Sequence, residues 1–160
     1  MAKLEPFVLD LMHQWSVPGV TIGLYDGDDV EFAGFGITNI ETGQPVVPET
    51  LFQVGSISKI FTATLAMTLV DDGLLDLDAP IVTYVPELTL ADSDAREQIT
   101  ARHLLTHTAG FYGDRFDDKG TGDDALEKAV RAFGDLKQQT APGELYTYCN
   151  AGIDLVGRAI

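Results

Sequence analysis

Apolar residues recur at helical spacing between positions 5 and 15, where Phe7, Val8, Leu11, Met12 and Trp15 fall on one side. Val17-Pro18-Gly19 breaks that pattern. Residues 20–26 (VTIGLYD) and 30–37 (VEFAGFGI) then read as two strands around the acidic turn Gly27-Asp28-Asp29, a hairpin. Gly23, Gly34 and Gly36 inside those strands imply close approach by neighbouring backbone. Residues 38–50, with a Thr42-Gly43 turn and two prolines, form a loop. From Ser56 to Leu69 (SISKIFTATLAMTL) apolar side chains cover most of the circumference, which predicts a central, buried helix. Asp71, Asp72 and Gly73 end it, with glycine in the usual stop position.

Residues 74–90 contain Pro80 and Pro86 and should be irregular, with short helical turns. Residues 92–98 read as a polar loop. Thr100 is placed to cap a helix through Leu104 and Leu105 that stops before Gly110. Residues 111–124, rich in Gly and Asp, form an exposed excursion. A helix follows over 124–138 with Leu126, Ala129, Val130, Phe133 and Leu136 as its apolar stripe. After a loop at Pro142-Gly143, Asn150 is placed to cap a last helix over 151–160.

The 160 residues amount to one domain or part of a larger one, with neither repeat nor linker. Net charge is −15, with 25 acidic residues against 10 basic ones. That excess opposes binding to nucleic acid or to an anionic membrane surface. It fits either a high-salt cytoplasm or an ordinary acidic protein. The one cysteine, Cys149, excludes an internal disulfide and fits a reducing compartment. The N-terminal segment is interrupted by Glu5, Pro6, Asp10 and His13, so it does not read as a signal peptide. No run of the sequence approaches a membrane span, and the cytoplasm is the expected location.

Two short constellations carry candidate chemistry. Ser56 and Lys59 stand at i,i+3 where an extended segment (Leu51 to Val54) turns through Gly55 into the apolar helix. That spacing puts an amine beside a hydroxyl, an arrangement suited to an activated nucleophile. Ser-x-x-Lys by itself also arises from a capping serine and a snorkelling lysine. Tyr148 and Asn150, two residues apart in extended chain, project to one side. A phenol acts as a base only if positive charge lowers its pKa from about 10, and Lys59 could supply that charge. Asn150 could hold the lysine or a substrate carbonyl. His103 and His107 at i,i+4 could bind a metal, but no third ligand and no intervening glutamate accompany them. Cys149 reads as a small buried thiol, and the acidic run 114–124 fails the spacing of a calcium loop.

In order, the hairpin, FQVGSISK, HLLTHTAGF and PGELYTYCNAGIDLVGRAI closely resemble the N-terminal part of the serine beta-lactamase-like superfamily. That superfamily comprises class C beta-lactamases, D-alanyl-D-alanine carboxypeptidases, D-aminopeptidases and related esterases. The resemblance runs from about Phe7 to Ile160. It implies an α+β fold of the beta-lactamase/transpeptidase type and a catalytic set of Ser56, Lys59 and Tyr148. Ser56 would be the acylated nucleophile, Lys59 would poise its proton, and Tyr148 would serve as general base and proton relay. Asn150 would bind Lys59 and the substrate carbonyl, and the Ser56 backbone N–H would give half of an oxyanion hole. HLLTHTAG becomes a structural helix and turn. No cofactor and no metal is implied.

Such enzymes also carry Lys-Thr-Gly or His-x-Gly on a later strand, and neither pattern occurs here. The chain is therefore expected to be a partial domain over residues 1–160, inactive or impaired alone. Its expected partners are a small-molecule or peptide substrate and a second chain completing the sheet. An ester or D-amino-acid peptide is favoured over a beta-lactam, because a cytoplasmic enzyme would not meet cell-wall antibiotics first. The alternative is a non-catalytic module that senses an acyl ligand or works only with a partner.

Overall fold

The computed structural model describes residues Met1–Ile160 as two compact units, Met1–Gln53 and Val54–Ile160. In the first unit, helix α1 (Glu5–Trp15) has Pro6 in its first turn, where proline removes no helical hydrogen bond, and ends on left-handed Ser16. Strands β1 (Gly19–Tyr25) and β2 (Val30–Gly36) pair antiparallel from Gly19 opposite Gly36 to Tyr25 opposite Val30. The hairpin thus lies within one residue of its predicted bounds. A Cβ on Gly34 would meet the Val46 carbonyl oxygen at 2.5 Å, so the returning loop needs glycine there. Val8 and Val46 are buried, while Phe7, Trp15 and Phe32 stay exposed. The sheet has two strands only.

The second unit is helical. Helices α2 (Ser58–Asp71), α3 (Ser93–Gln98), α4 (Ala101–Leu105), α5 (Ala125–Arg131) and α6 (Asn150–Ala159) surround a core that includes Ile81, Leu88, Ile99, Leu104, Phe111 and Leu155. The amphipathic face of α6 packs on α2, α4 and α5. Thr100 caps α4 as predicted. Its hydroxyl accepts from the His103 N–H while His103 Nδ1 faces the Thr100 N–H, a reciprocal capping arrangement. No helix is long and apolar enough to cross a membrane.

Four expectations need correction. Residues 93–98 are helical rather than loop, because the Asp92 carboxylate caps the Asp94 and Ala95 N–H groups. The helix expected over 124–138 stops at Arg131. Residues 132–135 tighten into a 3₁₀ turn, and Leu136 turns extended while remaining buried. The helix after Gly55 is not buried all round. Ala66 is enclosed, whereas Ile57, Ile60, Phe61 and Leu65 are exposed, since α6 covers one side of it. Asn150 does not cap the last helix but is its first residue. The cap is Cys149, whose Sγ accepts from the Gly152 N–H at 3.2 Å.

Phe111 is 1% exposed in this core. Phe111→Ala is expected to cost about 3–5 kcal/mol, the range for deleting a buried aromatic ring. Denaturant unfolding checks it, and a loss under about 0.5 kcal/mol, the usual size of a surface change, would mean that the site collapses around the gap.

Candidate active site

Gly55 takes a left-handed φ of 53°, a conformation that costs a side-chain-bearing residue energy. It turns the chain into a 3₁₀ segment, Gly55–Ile57, so Ser56 sits one short turn ahead of α2 and not within it. Lys59, in the first turn of α2, reaches back across the i,i+3 spacing. Its Nζ donates to Ser56 Oγ at 3.2 Å and to Asn150 Oδ1 at 2.7 Å. The Tyr148 hydroxyl lies 2.6 Å from Ser56 Oγ. The four residues singled out in the sequence therefore meet at one place. Asn150 arrives from a helix start, not from the extended segment expected for it, and its side chain is free for this because the cysteine does the capping.

A serine hydroxyl is a weak nucleophile until something takes its proton, and a phenol is a weak base unless its charged form is stabilised. Here Lys59 lies 4.9 Å from the Tyr148 ring centre. The Lys59 amine first and the Ser56 hydroxyl second hold the Tyr148 phenol below its ordinary value, while lost solvation and, less strongly, the Asp114 charge push the other way. Ser56 and Tyr148 are open to solvent, and Lys59 is half-buried.

Two residues missed as site residues complete the arrangement. His107 sits at a left-handed φ of 58° in the turn after α4. Its ring tilts against that of Tyr148 with centres 4.6 Å apart, and meets Tyr146 edge-on at 5.8 Å. Its Nδ1 accepts from the Cys149 N–H at 3.2 Å, and its carbonyl accepts from the Thr147 N–H at 2.8 Å. Burial and the nearby Lys59 charge lower its pKa, which keeps the imidazole neutral and able to accept. His107 thereby braces the segment that presents the phenol. His103 is committed to its cap, so the two histidines do not converge as a ligand pair. Asp114 is the second addition: Asn150 Nδ2 donates to its Oδ1 at 2.7 Å. Neither role leaves a local signal in sequence, since each depends on residues about 40 positions away. Cys149 is buried, and burial pushes its thiol pKa up, which removes it as a nucleophile.

An α+β chain with a serine held between a lysine and a tyrosine defines a recognisable class. The protein belongs to the beta-lactamase family: the family model described as Beta-lactamase matches residues 4–160. Penicillin-binding protein 4 of Amycolatopsis lactamdurans is 39% identical over 145 residues, covering 90% of this chain and 38% of that protein. Among solved structures, the octameric penicillin-binding protein homologue from Pyrococcus abyssi is 32% identical with a TM-score of 0.78, over 99% of this chain and 38% of that one. A class C beta-lactamase in complex with cefoxitin is 28% identical with a TM-score of 0.76, over 98% of this chain and 42% of that one. The chain thus spans well under half the length of these relatives.

Proposed function

We propose that this chain carries the acylation site of a serine hydrolase that works through an acyl-enzyme on an ester, a D-amino-acid peptide or a beta-lactam. The observation behind the reading is the pair of contacts at Ser56 Oγ, 2.6 Å to the Tyr148 hydroxyl and 3.2 Å to Lys59 Nζ. Ser56 Oγ attacks the carbonyl carbon as its proton passes to the Tyr148 oxygen. The C–O bond to serine forms, and the carbonyl π pair moves onto oxygen. That oxyanion is met by the Ser56 N–H near the start of α2, where the helix favours negative charge. The oxyanion then collapses, the bond to the leaving group breaks, and Tyr148 returns the proton to that group. Water repeats the sequence on the acyl-serine to release the acid. Asn150 holds Lys59 in place and faces the substrate carbonyl. No cofactor is needed for any step.

An ester or peptide is the favoured substrate class, and a cytoplasmic setting belongs to the same proposal. A partner-dependent reading is favoured by one observation: the sheet is a two-stranded ribbon, a unit of marginal stability in water. A second polypeptide segment pairing with it would raise activity without changing the chemistry at Ser56.

Incubation with a chromogenic short-chain ester and a fluorescent penicillin tests the reading. Turnover, with a mass increase on the peptide containing Ser56, is the expected result. Stable labelling without turnover favours a sensor. Folded protein that gains no mass with either reagent would sink the hydrolase proposal.

A further inference from the structure

We propose that Asp114 is a positioning residue of this site: its carboxylate fixes the Asn150 carboxamide with the oxygen toward Lys59 and the nitrogen away from it. The inference rests on the acyl-serine reading above. A carboxamide has an oxygen end and a nitrogen end of nearly the same shape, so its neighbours decide which way it turns. Lys59 offers only donors, and an ionised carboxylate offers only lone pairs. Asn150 stands between them, with Oδ1 2.7 Å from Lys59 Nζ and Nδ2 2.7 Å from Asp114 Oδ1. Turning the amide over would set N–H against ammonium and carbonyl oxygen against carboxylate. Both contacts favour the same orientation.

Asp114 is built into place although it lies in an exposed stretch. The preceding Gly113 accepts from the Ala151 N–H at 2.9 Å, which ties that stretch to the first turn of α6. A Cβ on Gly113 would meet Cys149 Sγ at 2.4 Å and the Ala151 side chain at 2.8 Å, so only glycine lets the backbone come this close. The neighbouring Arg115 does not neutralise Asp114. Its guanidinium is engaged by Asp117, Asp135 and the Ala132 carbonyl. Hydrogen bonds then run from Asp114 through Asn150 and Lys59 to Ser56, and a charged acceptor at one end strengthens the links in between.

The charged and titratable groups around the phenol are Lys59, Asp114 and His107. Asp114 is the one that opposes phenolate formation. Removing its charge should therefore shift Ser56 reactivity toward lower pH, while removing its acceptor should loosen Asn150. D114A separates from D114N on this point, because the new carboxamide oxygen can still accept from Asn150.

The experiment reads Ser56 labelling by a fluorophosphonate ester across pH, together with the Asn150 side-chain amide protons by NMR. D114A should lose about tenfold of the plateau rate, the order set by one hydrogen bond to a charged group. D114N should recover most of that loss, and both variants should reach half-maximal rate at lower pH than the parent. In the parent and D114N, one Asn150 amide proton should show a hydrogen-bonded shift that D114A lacks. Asn150 amide resonances unchanged in D114A overturn the proposal, whether or not Ser56 reacts. A parent that is never labelled defeats the hydrolase reading, while the amide resonances still decide the role of Asp114.

Discussion

Lys59→Ala should leave Ser56 essentially unacylated, with a labelling rate down by about three orders of magnitude, in the range that positioned proton-transfer groups contribute. The side chain does two things at once. Its Nζ contacts the nucleophilic oxygen at 3.2 Å, and hydrogen bonding by its amine, with its charge adding a smaller share, is the largest influence holding the Tyr148 phenol below its ordinary value. Alanine removes both, so the hydroxyl loses its neighbour and the phenolate loses its stabilisation. Without the lysine the phenol returns toward about 10, and whatever labelling remains should need a higher pH. Folding should be preserved, because Lys59 is only half-buried and water can replace it at Asn150 Oδ1. Mass spectrometry after a fluorophosphonate ester, with a thermal melt alongside, checks both halves. Labelling at the parent rate in a folded K59A protein would remove Lys59 from the mechanism.

That the lysine could be picked out at all shows what the sequence made legible. An i,i+3 pair needs only a helical turn to bring its members together, and the apolar run after Gly55 supplied that turn. Helix α1 and the hairpin were equally readable, because periods of 3.6 and 2 persist there over several residues. Helix α3 was not, since SDAREQ is nearly all polar and its one signal, the Asp92 cap, precedes it by a single position. The exposure of α2 escaped for a different reason. An apolar pattern on every face states what a helix can bury, not which faces this chain covers.

At the site the division runs along sequence distance. Tyr148 and Asn150 were visible as a pair, but their placement opposite Ser56 came from the family resemblance rather than from spacing. Asn150 does not act as a cap, because capping and binding Lys59 compete for one side chain. Cys149 resolved that competition by accepting from Gly152. The i,i+4 spacing of His103 and His107 points to a metal pair. The left-handed backbone at His107 turns its ring toward Tyr148, and no local pattern announces such a turn. Asp114 was hidden among the acidic residues of an exposed stretch, where one functional carboxylate looks like its neighbours.

The phenol is where these threads can be separated. Tyr148→Phe deletes one oxygen and leaves the ring in its contact with His107, so the fold and the Lys59–Asn150 contact should persist. Ser56 then loses the proton acceptor that lay 2.6 Å away. Acylation is expected to fall by about 10²–10⁴-fold, the usual contribution of a positioned general base. A base works in its deprotonated form, so the parent's labelling rate should rise with pH through the titration of this phenol. Because Lys59 and Ser56 stabilise the phenolate, that rise should begin below the range of a free tyrosine. In Y148F the rise should vanish, leaving a low rate that barely depends on pH, whereas K59A should keep a rise displaced upward. The two profiles thus distinguish the group that takes the proton from the group that tunes it. A Y148F profile that matches the parent in height and midpoint would assign the proton to another acceptor, and Lys59 would be the first to consider.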